Sequence, residues 1–431
     1  MTERILDILK SEKIEKYSIY QERRESSELF FVRKKLELVR GKDTVDVKLT
    51  VYREFDKEGK HCLGSSEVFI YPETDDEQIK ELIKSAYASA LYADNPYYEL
   101  PEPEKPVGAG EESTIKSCVG GFFAGEQETA GKLSDNAIAM AKALYAPDTD
   151  DDSWINSAEI FAKRNTVRII NCNGCDVSYI KESICGEFVV QSRLCGNDVE
   201  LFRQFEYDGI NADALSEKCR DALRTVKDRA AAVKAPEDVN GYPVILCDET
   251  VGEFLGFYLS RCNASYIYPG YSDYKIEKPV CQDVSGDKLS LLIVPDVPYS
   301  SEGIKKNVHK LIDEGIVKTF HGGSAYSSYV GIRPIGEYTR IVCENEGADD
   351  EKFFAEPYIM VKNFSDFQMD AMDGSFGGEF RLAYLCENGK KTALTGGTVS
   401  GNIFDAQKKL IFSKKRYEEA SYTGPAMVRI G

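Results

Sequence analysis

Long hydrophobic runs are missing from this sequence of 431 residues. No segment offers the ~18 uninterrupted apolar residues that a membrane helix needs. The first stretch, "MTERILDILKSEKIEKY", reads as a charged amphipathic helix with no apolar signal-peptide core. The expectation is a cytoplasmic protein with no membrane partner. Basic charge is also short, with 54 Lys and Arg against 72 Asp and Glu and a net charge of −18. That charge is spread along the chain rather than held in one acidic tail, and phosphate binding rests on a concentrated cationic footprint, so nucleic acid is not an expected partner.

Histidine is scarce. Only His61, His309 and His321 are present, and they are too far apart in sequence to suggest a ligand pair. Twelve cysteines are dispersed over the chain without a secretion signal and read as reduced, mostly buried thiols. Cys172-Asn-Gly-Cys175 is half of a zinc knuckle at most, and Asn-Gly between β-branched runs predicts a type I′ hairpin turn with the two cysteines as neighbours across it. No Walker-type phosphate loop occurs. "GGSAYSSYVG", with Ser324, Ser327 and Ser328, does not match the G-x-S-x-G nucleophile elbow and reads as strands and turns beside a groove.

What is present is a soluble globular composition, 42% hydrophobic and 29% charged, in a chain long enough for two domains or three small ones. Helical periodicity marks residues 2–10 and 74–94, the latter opening on a capping box at Thr74-Asp-Asp-Glu77. Between them, alternating runs divided by Gly and charged turns predict antiparallel strands. A Pro-rich stretch, Leu100 to Ser113, reads as a linker. The same order of elements then recurs: a helix near Ser134 to Tyr145, strands from about Ala158 to Tyr207, and a helix from Asn211 to about Lys234. A second boundary falls at "KAPEDVNGYP", Lys234 to Pro243. Beyond it come a helix at 248, a helix at about Ser301 to Glu314, and short Gly-rich strands. The fold expected is α+β with antiparallel sheets. Its N-terminal domain, 1–235, consists of two helix-strands-helix halves, 1–105 and 106–235, and a β-rich C-terminal domain spans 236–431.

The densest signal is "VILCDETVGEFLGFYLS", Val244 to Ser260. With Asp248 as N-cap, Val251, Phe254, Leu255, Tyr258 and Leu259 form one apolar helical stripe. Glu249 and Glu253 stand four apart on the other side, beside Gly252 and Gly256. Like charges at that spacing cost about 0.2–0.5 kcal/mol, and each interior glycine about 1 kcal/mol against alanine. Asp248 as a cap, Glu249 as a dipole partner and Glu253 as a solvated acid account for the carboxylates. They leave the glycines, which suit a face that another backbone or a ligand approaches closely.

This helix, together with "NTVRIINCNGCDVSYIKES", "SSEGIKKNVHKLIDEGIVKTFHGGSAYSSYVG" and "FSDFQMDAMDGSFGGEFRLAYLCENGKKTALTGGTVSGN", resembles the TldD/PmbA family in order and spacing. The resemblance implies a zinc peptidase motif, His-Glu-x-x-x-His, completed by a C-terminal Cys. Carried onto this chain, the first His position holds Asp248, the Glu is Glu249, and the second His position holds Glu253. Thr423-Gly424 stands where the Cys is expected. The implied function is that of the zinc-lacking, TldE-like side of the family: a subunit without metal or other cofactor and without catalytic residues of its own. It would assist a TldD-like zinc-bearing paralogue in degrading or maturing an extended peptide. Two other readings stay open. One is a self-sufficient hydrolase using Asp248, Glu249 and Glu253 as a hard-metal or acid/base site, and the other is a non-catalytic peptide-binding homodimer.

Overall fold

The computed structural model describes residues 1–103, 133–236, 239 and 241–431. The chain is α+β with mostly antiparallel sheets. Its N-terminal part runs α1 (Thr2–Ser11), β1 (Tyr17–Val32), β2 (Lys35–Lys57), β3 (Lys60–Ile70) and α2 (Asp76–Ser89). It continues with α3 (Leu133–Tyr145), β4 (Ser153–Asn171), β5 (Asp176–Leu194), β6 (Asn197–Tyr207) and α4 (Ala212–Ala230). Helix, three strands, helix therefore occurs twice. The two sets share one six-stranded antiparallel sheet in the order β3-β2-β1-β4-β5-β6, joined where β1 pairs with β4. Period-2 alternation decides which face the helices cover. Ile19, Val47, Leu49 and Val51 pack with Ile5, Leu9, Ile79 and Ile83 of α1 and α2. Ile160, Ala162, Ile184 and Phe188 pack with Met140, Leu144, Cys219 and Val226 of α3 and α4. The opposite face of the sheet is turned to the rest of the molecule.

The remainder comprises β7 (Val233–Lys234), β8 (Val244–Cys247), α5 (Glu249–Arg261), α6 (Ala264–Ile267), β9 (Leu291–Val294), β10 (His309–Asp313), β11 (Ile316–Val317), α7 (Ser324–Tyr329) and β12 (Arg340–Cys343). After these come α8 (Asp350–Phe353), β13 (Tyr358–Met369), β14 (Ser375–Glu387), β15 (Lys390–Thr395), β16 (Gly397–Asn402) and α9 (Ile403–Ala406). β17 (Ile411–Phe412), β18 (Arg416–Glu419), β19 (Tyr422–Pro425) and β20 (Met427–Ile430) complete the chain. An eight-stranded sheet, β17-β20-β8-β13-β14-β15-β7 with β16 on β14, and a six-stranded sheet, β11-β10-β9-β12-β19-β18, enclose α5. Val251, Phe254, Leu255 and Tyr258 are almost fully buried in the core between them. Among the described residues, no helix is long and apolar enough to cross a membrane.

Several local expectations are corrected. The segment Ser301 to Glu314 is no helix. Gly303 has φ +84°, and His309 and Lys310 pair with Ile293 and Leu292 of β9. Ile304, Leu311 and Ile312 are buried at a spacing that mimics a helical stripe, but a bulge between Lys310 and Ile312 produces the burial of two successive residues. The capping box of α2 is one residue later than its sequence signature, with the Asp75 side chain accepting from Gln78 N and the Gln78 side chain accepting from Asp75 N. At 172–175 the turn is not type I′, because Gly174 but not Asn173 has positive φ. The Asn171 side chain accepts from Asn173 N and Cys175 N, and the closing pair is Asn171 with Cys175. Ser324 to Tyr329 is a short helix rather than strand. The linker expected at Leu100 to Ser113 lies outside the described residues from position 104 on, and so do positions 237, 238 and 240 of the expected boundary at Lys234 to Pro243.

Candidate functional site at the Asp248 helix

β8 ends and α5 begins at Asp248, whose backbone takes φ +53° and ψ −122°. Such a conformation costs an ordinary residue about 1–3 kcal/mol and persists only where the surroundings enforce it. Here Asp248 N donates to Ala426 O at 2.7 Å, just before β20 runs antiparallel to β8. Asp248 therefore occupies the N-cap position without capping: its side chain makes no cap hydrogen bond. Its carboxylate instead accepts from Lys362 Nζ on β13 at 2.5 Å, and Asp221 of α4 holds the same ammonium at 3.0 Å. Burial works against the Lys362 charge, but attraction from Asp248 and Asp221 outweighs it and raises the pKa well above the ordinary lysine value.

Glu249 and Glu253 face a cleft of about 870 Å³. Its walls come from β5 and β6 of the N-terminal sheet, from α4, from the Asn363 to Phe367 part of β13, and from the segment Tyr417 to Tyr422. Half-buried Glu249 lies 3.6 Å from Arg203 Nη1. Burial alone would raise its pKa, yet Arg203, Lys218 and Lys362 together hold it below the usual carboxylate value. Glu253 is open to the cleft's solvent, and among the described residues no cation pairs with it. Desolvation by the surrounding walls, followed by repulsion from Glu249, Asp366 and Glu419, pushes its pKa up to about 7. Lys218 bonds Glu419, and Tyr417 Oη donates to the same carboxylate at 2.8 Å, so α4 is tied to β18 beside the site.

The two glycines of α5 differ. A Cβ on Gly252 would meet Tyr422 Cβ at 2.7 Å, so β19 approaches this helix as closely as a glycine permits. A Cβ on Gly256 would meet nothing within 4 Å among the described residues. The Thr423-Gly424 pair lies on β19 near the start of α5. Thr423 Oγ1 is shielded from solvent and has no hydrogen-bond partner among the described residues. At Gly424 a Cβ would come 2.3 Å from Tyr422 Oη and 2.8 Å from Cys343 Cβ, so a side chain there would require Tyr422 and Cys343 to shift.

The structure thus brings Glu249 and Glu253 into the wall of the cleft, with Asp248 and Thr423 behind that wall rather than in it, and does not assemble the four into the donor set of a zinc site. No imidazole or thiolate is contributed at these positions, and Asp248, the one acid at the strained junction, is already neutralised by an ammonium. Among the described residues no cluster of three His, Cys, Asp or Glu side chains is arranged to hold a metal ion. His321 is elsewhere, 1% exposed. Its Nε2 donates to Leu259 O at 3.0 Å, and burial lowers its pKa to about 4, so it is a neutral core residue.

Lys362, Asp221 and Arg203 were not singled out by sequence. One signal was available for the first: Lys362 is the only charged residue in the run "YIMVKNF" of β13, and a cation inside an apolar strand calls for a buried partner.

Comparison with known proteins agrees with this architecture. Residues 240–430 match the family model described as PmbA/TldA metallopeptidase C-terminal domain. No curated protein sequence matches the chain. Among solved structures, a candidate modulator of DNA gyrase from Bacteroides thetaiotaomicron superposes with a TM-score of 0.78 at 16% identity, covering 99% of this chain and 96% of that one. TldE from Thermococcus kodakarensis gives 0.72 at 14% identity over 99% and 98%. A candidate modulator of a DNA gyrase from Thermotoga maritima gives 0.72 at 14% identity over 100% and 97%. At such identities the structural likeness establishes the fold alone. Residues 240–430 are thus similar to the PmbA/TldA metallopeptidase C-terminal domain, and along its whole length the chain has the fold of those TldE and gyrase-modulator structures.

Proposed function

We propose that this chain is a metal-free, TldE-like subunit that works by association with a zinc-bearing, TldD-like paralogue to degrade or mature an extended peptide. The observation that carries this reading is the Asp248–Lys362 pair: the residue at the motif's first ligand position is bound to an ammonium. A lysine locked between Asp248 and Asp221 compensates the charge of both carboxylates. It supplies no open coordination position for water, so Glu249 has no activated water to deprotonate. The chain contributes surface. β6 is the outermost strand of its sheet, and β8 pairs β13 only at Ile359 to Val361. The cleft therefore runs between the free edge of β6 and the part of β13 beyond that pairing. An extended peptide fits such edges by strand-like backbone hydrogen bonds.

The test is co-expression with a paralogue whose His-Glu-x-x-x-His helix is intact, then comparison of peptide cleavage by the complex and by each subunit alone. Activity confined to the complex, and insensitive to Glu249→Gln in this chain, is the expected result. Failure of the two chains to associate overturns it.

A second reading rests on a different observation, the opposite displacement of two neighbouring carboxylates. Glu249 is held ionised and Glu253 is pushed to about 7, which is how acid and base roles are divided between paired carboxylates. Cleavage by this chain alone, abolished by Glu249→Gln, would favour that reading over the first.

A further inference from the structure

The face of the N-terminal sheet turned away from α1 and α2 alternates with the core positions and is built of Ser18, Tyr20, Lys48, Thr50, Tyr52 and Glu67. A sheet face covered by another part of the molecule is ordinarily apolar. Here loops following β9, α7 and the 337–339 segment roof it over without filling the space, leaving a cavity of about 580 Å³ separate from the Asp248 cleft. That is within the roughly 300–1,000 Å³ of small-molecule sites. Tyr20, Tyr52, Tyr98 and Tyr179 supply much of its wall.

The charges around this cavity do not balance. Glu67 is paired with Lys48 at 3.0 Å, Glu22 with Arg24 at 2.6 Å, and Asp296 with Lys306, while Lys181, the third lysine of the wall, lies 3.9 Å from Asp208. Glu302 and Glu337 also line it, and among the described residues neither has an ion pair. Among the described residues, the Glu302 carboxylate accepts only from Ser324 N at 2.8 Å and Ser324 Oγ at 3.1 Å. These neutral donors fix its direction without neutralising it. Burial and then the nearby Glu337 charge work to raise its pKa, against the Ser324 hydrogen bonds.

We propose that this cavity is a binding site for a small organic ammonium ligand, whose charged head sits on Glu302 with Glu337 nearby and whose stem lies against the tyrosine rings. A carboxylate with neutral supports is completed by a cation, and aromatic faces attract ammonium groups and cover their methylene stems. The proposal does not depend on the role of the Asp248 helix.

The experiment is calorimetric titration of the full chain with 1,4-diaminobutane, with 1,4-butanediol as the neutral probe of the same length. Saturable binding of one amine per chain, absent for the diol, is expected. Glu302→Gln keeps the acceptor for Ser324 N and should weaken binding by at least about tenfold, the effect of one charge-assisted contact. Asp7→Asn removes the same charge from exposed α1 and should change nothing. If Glu302→Gln does not fold, Glu337→Gln gives the same comparison with a smaller expected loss. No saturable binding at millimolar amine, equal binding of the diol, or equal weakening by Asp7→Asn would overturn the proposal. The last result would mean general attraction to an acidic surface.

Discussion

The carboxylate of Asp248 and the ammonium of Lys362 lie 2.5 Å apart although 114 residues separate them in the chain. Both side chains are less than one-fifth exposed. Breaking a buried pair leaves its partner uncompensated at a cost of about 3–5 kcal/mol. Lys362→Met should therefore lower the unfolding free energy in urea by that order, since it strands Asp221 and Asp248 together. Combining it with Asp248→Asn should recover part of the loss. A single-mutant effect below about 1 kcal/mol would place the pair among solvent-screened surface contacts.

Glu253 predicts a pH dependence of opposite sign to that of most carboxylates. Its folded-state pKa is about 7 against an ordinary glutamate value of 4.5, so the folded chain binds more protons than the unfolded chain between those values. Its contribution to stability then falls as pH rises from about 4.5 through 7. Glu253→Gln should remove this slope and make the protein relatively more stable at pH 8 than at pH 5, compared with the parent. Parallel urea titrations at the two pH values would show it. An unchanged difference between them would mean that Glu253 titrates as an ordinary solvated acid.

The buried stripe of α5 was legible because Val251, Phe254, Leu255 and Tyr258 lie on one face of a single helix, and local periodicity records that directly. The helices α1, α3 and α4 and the strands of the N-terminal sheet were legible for the same reason. Lys362 was not, because its partners come from α4 and from the β8–α5 junction, and no local pattern encodes a long-range ion pair. The segment Ser301 to Glu314 misled for the converse reason. Its apolar spacing fits a helix, and only the pairing of β10 with β9 and the bulge at Lys310 show that both neighbouring side chains are buried from a strand.

Metal content follows from the same ion pair. Zinc binding at this position would require displacing Lys362 from Asp248 and would then find only carboxylates among the motif residues. The chain purified alone from zinc-supplemented medium should carry well under one zinc per molecule by elemental analysis. One zinc per chain that survives gel filtration would contradict the metal-free reading and direct attention to the acid-only hydrolase.

The glycines of α5 give the most discriminating pair of substitutions, because the same change at two positions four residues apart should act in opposite directions. In an open helical position, Gly→Ala stabilises by about 1 kcal/mol through helix propensity. At Gly256 a Cβ meets nothing within 4 Å, so Gly256→Ala should raise the melting temperature. At Gly252 the added carbon would stand 2.7 Å from Tyr422 Cβ, an atom fixed to the β19 backbone rather than the end of a flexible side chain. Either β19 or the helix must move, and overpacking of this kind costs about 1–3 kcal/mol, which outweighs the propensity gain. Gly252→Ala should lower the melting temperature, and the shift should spread to the Asp248 end of the cleft because Tyr422 lines it. If both substitutions stabilise, β19 is not pressed against α5 and Gly252 has no packing role. If Gly256→Ala leaves the isolated chain more stable but weakens association with a zinc-bearing paralogue, the open side of the helix is the surface that the partner approaches.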